Sequence, residues 1–148
     1  MERTLPLGRK DLKVFIASAL RWNDIDLYGH VNNAVYFQLF DTAVCQWLIG
    51  AGLMRRANNN IFVAAHSSCD YFREVFLEDS IEVGLAIHKM GRSSVHYKMG
   101  LFRENEPHIM VQGSFVHVNV DLATRQPTQL SDDDRATLSS IFIPSTLD

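Results

Sequence analysis

The chain has 148 residues, 47% of them hydrophobic, which is enough to form one core of ordinary size. Its formal net charge of -3, without any run of Lys or Arg, excludes an extended polyanion-binding surface, so we expect no nucleic-acid partner. The sequence contains no run of about eighteen apolar residues, so we expect no membrane insertion. The two isolated cysteines predict neither a zinc site nor a redox pair. We expect a single cytoplasmic domain over residues 1–148 with no metal site.

The first predicted element is a strand. Apolar residues occupy even-numbered positions over a ten-residue stretch, an alternation typical of a half-buried strand: Val14, Ile16, Leu20 and Trp22. Turn-forming and capping residues follow, so residues 23–33 are predicted to form a loop that leads into a helix.

A long apolar helix is predicted from Ala34. Apolar residues there recur at steps of three and four: Phe37, Phe40, Val44, Trp47, Leu48 and Ala51. Gly50 and Gly52 are expected to end the helix, which would then have about 17 residues and a length of roughly 25 Å at 1.5 Å per residue. Its apolar content predicts that the helix is largely buried.

Four more strands are predicted after the helix. Alternation of apolar and polar residues places them at 61–72, 81–89, 93–102 and 109–120. Ser131 and the three acidic residues after it predict the start of a short terminal helix. This order predicts an α+β fold in which a meander of antiparallel strands packs on one helix.

The densest group of polar residues lies at the junction of the first strand and the helix. A helix N-terminus offers free N–H groups and a partial positive charge, which stabilise a developing oxyanion. Asp26, a few residues upstream, can attack a carbonyl polarised there or can activate water. The same residue types also cap helices and close turns, so spacing alone leaves both interpretations open.

This junction resembles a known family. Residues 21–36 read Arg-Trp-x-Asp-x-Asp-x-x-Gly-His-Val-Asn-Asn-x-x-Tyr. That pattern is similar to the signature of the 4-hydroxybenzoyl-CoA thioesterase-like family, in its long-chain acyl-CoA thioesterase branch. The predicted order of elements also fits. The resemblance implies a hotdog fold, with an antiparallel sheet of about five strands wrapped around one long central helix. It also implies a homodimer or homotetramer with sites at subunit interfaces.

The resemblance implies roles for individual residues. Asp26 is the catalytic carboxylate, the amide of Asn33 polarises the thioester carbonyl, and Gly29 permits a tight approach. His30 is an acid-base group, or it orients Asp26 or the substrate, or it is simply held within the loop. Tyr36 either lines the acyl pocket or belongs to the core.

A second group of residues is predicted to bind coenzyme A. Its phosphates need a few cationic or N–H donors at the mouth of the pocket. Lys89, Arg92, Ser93 and Ser94 surround a predicted hairpin turn and can supply them. In the family that the chain resembles, the corresponding strand start contacts the nucleotide end of coenzyme A. An ordinary solvated turn is the alternative.

The predicted activity is hydrolysis of an acyl-CoA to a carboxylic acid and free coenzyme A. Coenzyme A is part of the substrate, and no cofactor is expected. Two alternatives stay open: a hotdog protein that binds an acyl thioester without turnover, and a thioesterase that acts on acyl carrier protein. The hydroxybenzoyl branch has Pro-Ala-Gly-Ile-Val after its aspartate, whereas residues 27–31 read Leu-Tyr-Gly-His-Val. We therefore do not expect an aromatic hydroxybenzoyl substrate.

Overall fold

The structure is a computed structural model that describes residues 5–144. One antiparallel sheet contains β1 (Val14–Ser18), β2 (Asn60–Tyr71), β3 (Ile81–Met90), β4 (Ser94–Arg103) and β5 (Val111–Asp121). The α-helices are α1 (Val35–Gly50) and α2 (Asp132–Leu138). The predicted helices and the four strands after α1 agree with these bounds to within about two residues, the usual uncertainty at element ends.

The strand order corrects one prediction. The strands run β1-β3-β4-β5-β2 across the sheet, so only β3, β4 and β5 form a meander. β2 pairs with β5 at the far edge and does not contact β3 as a meander of four strands would require. Residues 72–80 join β2 to β3, and this connection is longer than the loop of a tight hairpin. Alternation identified the strands but carried no information about which strands pair.

The first strand is shorter than the sequence predicts. β1 ends at Ser18, and Trp22 lies in a 3-10 turn over Trp22–Asp24 with 79% of its surface exposed. The side chain of Asp24 causes this turn, because it accepts hydrogen bonds from the Arg21 amide at 2.7 Å and the Arg21 guanidinium at 3.0 Å. Asp24 is 2% exposed, so these bonds satisfy a buried carboxylate.

Helix α1 packs on one face of the sheet through a stripe of buried residues, namely Tyr36, Leu39, Phe40, Ala43, Val44 and Leu48. Phe40 is fully buried, and a methyl group on Gly113 of β5 would lie 2.7 Å from its ring. The glycine therefore lets the helix approach the sheet closely. The opposite face, with Gln38, Asp41 and Gln46, is exposed, so the prediction of a largely buried helix holds for one face only.

The other face of the sheet carries a smaller apolar cluster. Residues 5–12 cross this face, where Leu7 and Leu12 pack with Ala86, Phe102 and Ile109. Gly84 and Gly100 leave space for Leu12, since a methyl group at either position would lie 2.7 to 3.0 Å from its side chain. The N-terminal segment is thus fixed against the sheet.

Within residues 5–144, neither helix combines the length and the apolarity that crossing a bilayer requires.

Candidate active site

The loop that carries Asp26 is a tight hairpin. The Asp26 amide donates to the His30 carbonyl at 3.0 Å, and the Gly29 amide donates to the Asp26 carbonyl at 3.1 Å. Gly29 has φ +87°, a left-handed conformation that side chains with a Cβ rarely adopt. The glycine is therefore needed for the turn that presents Asp26.

The carboxylate of Asp26 has one bonded and one open oxygen. Its Oδ1 accepts a hydrogen bond from the Tyr28 amide at 2.9 Å, while Oδ2 lies 3.8 Å from His30 Nδ1. The side chain is 16% exposed, so a substrate can reach it. The backbone bond fixes the orientation of the carboxylate and leaves Oδ2 available for chemistry.

The start of α1 presents a free backbone donor. The Asn32 side chain accepts from the Ala34 amide at 3.0 Å, and the Asn32 carbonyl accepts from the Val35 amide at 3.0 Å. The Asn33 amide has no hydrogen-bond acceptor among the residues described. This is the amide that the sequence motif identifies as the oxyanion donor, and it is free to bind a ligand oxygen.

The segment after β2 forms the second wall of the site. The Val31 amide donates to the Val75 carbonyl at 2.8 Å, which ties the Asp26 loop to this segment. Tyr71 donates its hydroxyl to the Asn33 carbonyl at 3.0 Å. Glu74 Oε1 lies 3.8 Å from His30 Nε2, so His30 stands between the carboxylates of Asp26 and Glu74.

Tyr71 and Glu74 were not predicted from the sequence to belong to the site. They lie more than one element downstream of the motif, at the end of a predicted strand and just after it, and no local pattern singles them out. Pairing of β2 with β5 at the sheet edge brings them to the start of α1. A correct strand order would have been needed to find them.

A small cavity, here called the site cavity, lies between these two walls. Its volume is about 230 Å³, and it is lined by His30, Val31, Asn33, Tyr36, Tyr71, Phe72, Arg73 and Glu74. Tyr36 is 3% exposed and its ring centroid lies 5.5 Å from that of Tyr71. Burial, followed by the proximity of Tyr71 and Asp26, raises the pKa of Tyr36 to about 12. The phenol is therefore protonated at neutral pH, and Tyr36 belongs both to the core and to the wall of the cavity.

The predicted coenzyme A contacts lie elsewhere in the chain. Ser94 and Leu101 are the two ends of the part of β4 that pairs with β5, and Leu101 lies level with Val111 and Tyr71. At about 3.3 Å per residue the distance along the strand is about 23 Å. Lys89, Arg92, Ser93 and Ser94 are thus at the opposite end of the sheet from the site cavity. Within one chain they therefore do not line the site cavity.

No group of three or more His, Cys, Asp or Glu side chains among residues 5–144 is arranged to hold a metal ion.

A model of the Thioesterase-like superfamily matches residues 20–138, which contain the Asp26 loop, α1 and the whole sheet except β1. The chain belongs to the Thioesterase-like superfamily. The superfamily assignment agrees with the predicted hotdog thioesterase fold, and the five-stranded antiparallel sheet is confirmed. The short α2 is a second α-helix beside the long one.

Three known proteins are similar to the chain. The structure of the PA5185 protein from Pseudomonas aeruginosa strain PAO1 is 36% identical, covers 97% of this chain and 100% of that one, and has a TM-score of 0.89. A thioesterase from Thermus thermophilus, solved with coenzyme A and Zn, is 26% identical over 89% of this chain and 96% of that one, with a TM-score of 0.74. The YsmA protein of Bacillus subtilis (strain 168) is 26% identical over 81% of each chain.

Proposed function

We propose that this chain hydrolyses acyl-coenzyme A thioesters, with Asp26 as the catalytic carboxylate and the Asn33 amide as the oxyanion donor. Membership of the Thioesterase-like superfamily supports thioester hydrolysis in general. The observation that carries the assignment of residues is the position of His30, which lies 3.8 Å from Asp26 and lines the same cavity as the unbonded Asn33 amide. His30 therefore stands between the Asp26 carboxylate and the cavity that Asn33 lines.

The reaction can follow two balanced routes. In the first, Asp26 removes a proton from water, and the water oxygen adds to the thioester carbonyl carbon. The Asn33 amide then stabilises the oxyanion, the C–S bond breaks, and the departing thiolate takes up the proton. In the second, Asp26 itself attacks the carbonyl carbon and expels the thiolate, and water hydrolyses the resulting acyl anhydride.

His30 supports either route from its position between two carboxylates. Its Nδ1 and Nε2 lie 3.8 Å from Asp26 and from Glu74 respectively, slightly beyond hydrogen-bond distance. Catalytic hydrogen bonds often shorten when substrate binds. We therefore assign His30 the role of orienting Asp26, with Glu74 holding the far side of the imidazole ring.

Coenzyme A is the proposed carrier of the acyl group, because the 26% identical Thermus thermophilus thioesterase was solved with coenzyme A. The motif at residues 21–36 resembles the long-chain branch, so a long acyl chain is the proposed substrate. The test is a panel of short, long, branched and aromatic acyl-CoAs and matched acyl carrier protein thioesters, with free thiol as the readout. We expect the fastest release from long-chain acyl-CoA. The proposal is wrong if the protein binds these thioesters without releasing thiol from any of them.

The proposed enzyme is a homodimer or homotetramer. β2 is an edge strand of the sheet, and the residues in its middle, from Val63 to Ser67, are exposed in a single chain. An exposed edge strand of this length tends to pair with another strand. Sedimentation at micromolar concentration is expected to show two or four copies of the chain. A monomer under those conditions would contradict this part of the proposal.

A further inference from the structure

A second cavity lies beside the site cavity, at the same end of the sheet. It has a volume of about 750 Å³ and is here called the end cavity. The N-terminal segment, the end of β2 and the turn between β4 and β5 surround it: Leu5, Pro6, Leu7, Gly8, Lys10, Asp11, Phe72, Arg73, Pro107, His108 and Ile109. Its size is ordinary for a site that binds a small molecule.

The two cavities share a wall. Phe72 and Arg73 line both of them. The backbone amides of both residues donate to the Met110 carbonyl, at 2.9 and 3.0 Å, so this wall is fixed to the sheet. The two cavities are therefore adjacent, with Phe72 and Arg73 between them.

The end cavity carries unpaired positive charge. Among residues 5–144, neither Lys10 nor Arg73 forms an ion pair, and both are exposed. The other cations nearby are already neutralised, since Arg9 pairs with Glu82 and Arg103 with Asp79. Lys and Arg side chains without a carboxylate partner are well suited to bind phosphate.

The remaining lining residues fit a nucleotide. Asp11 is the one carboxylate in the lining, and its Oδ2 already accepts a hydrogen bond from the Gly8 amide at 2.8 Å. His108 adds a donor beside the two cations. Leu5, Phe72 and Pro107 supply apolar surface on which a flat purine ring can lie.

From this arrangement we propose that the end cavity binds the 3'-phosphorylated ADP end of coenzyme A, with Lys10 and Arg73 as the phosphate ligands. This inference rests on the proposed function, because it assumes an acyl-CoA substrate whose thioester occupies the site cavity. It assigns the nucleotide to the same chain that supplies Asp26. The hairpin at Lys89–Ser94 of that chain is about 23 Å away along the sheet and lines neither cavity.

The direct test measures binding of adenosine 3',5'-bisphosphate by calorimetry, which needs no turnover. We expect the parent protein to bind it, and the double variant Lys10→Gln, Arg73→Gln to bind at least about tenfold more weakly, since bonds to charged groups are lost. Lys13→Gln is the matched control, because Lys13 is also an exposed N-terminal lysine but does not line the end cavity. It should bind like the parent.

A kinetic comparison tests the same assignment on substrate. In the double variant, KM for acyl-CoA should rise about tenfold or more, and this rise should exceed any change in KM for an acyl N-acetylcysteamine thioester, which has no nucleotide. The parent should also prefer acyl-CoA to its analogue without the 3'-phosphate, and the double variant should lose that preference.

The two proposals fail in different ways. The end cavity is not the nucleotide site if the double variant binds the bisphosphate like the parent, or if Arg92→Gln alone abolishes that binding. If the parent binds the bisphosphate through Lys10 and Arg73 but releases thiol from no thioester, the site assignment stands and the hydrolase proposal is wrong.

Discussion

Replacement of Asp26 by Asn is expected to lower kcat for acyl-CoA hydrolysis at least about a hundredfold, or about 3 kcal/mol in activation free energy. The amide keeps the size of the side chain and an oxygen that can accept from the Tyr28 amide at 2.9 Å. It removes the base and the nucleophile. KM should change little, because neither cavity is lined by this side chain.

The control for this variant has to be a carboxylate without a structural role. Asp24 lies in the same loop, but its buried side chain holds the turn through Arg21, so Asp24→Asn would also disturb the fold. Asp41→Asn is better matched, because Asp41 is exposed on α1. A near-parental rate in Asp26→Asn, or a larger loss in Asp41→Asn, would show that Asp26 is not the catalytic group.

Replacement of Phe40 by Ala is expected to lower the free energy of unfolding by about 3 to 5 kcal/mol. Phe40 is fully buried where α1 crosses the sheet, and its ring lies against Gly113. Removal of the ring therefore leaves a cavity between the helix and the sheet. Urea denaturation followed by circular dichroism measures the change.

Ile49→Ala is the matched control on the same helix. Ile49 is 59% exposed, so its truncation should cost no more than about 0.5 kcal/mol. If the two variants unfold at the same urea concentration, α1 is not the central packing element of the fold.

Local features of the fold were predictable from the sequence because they depend on near neighbours. The steps of three and four residues around Phe40 and Val44 identified α1, and alternation identified β2 to β5. The pairing of β2 with β5 was not predictable, because alternation shows which residues face the core but not which strand lies alongside. The end of β1 was missed because the capping bonds of Asp24 overrode the alternation that includes Trp22.

The candidate site also contains residues that were predictable from the sequence and residues that were not. Asp26, Gly29, His30 and Asn33 are close in sequence, and the structure places them in one hairpin and at the adjoining helix start. Glu74 reaches His30 only because β2 runs along the far edge of the sheet and returns the chain to the helix start. The roles of these residues stay predictions, as does the contact of Lys89, Arg92, Ser93 and Ser94 with coenzyme A.

The most direct test of the central claim is hydrolysis of a long-chain acyl-CoA in water enriched in oxygen-18, with both products measured by mass spectrometry. We expect equal amounts of free coenzyme A and carboxylic acid, with the heavy oxygen from water in the acid after many turnovers. Release of coenzyme A without the free acid would show transfer of the acyl group to another acceptor. Recovery of intact acyl-CoA after prolonged incubation with the folded, assembled protein would contradict the assignment of a thioester hydrolase.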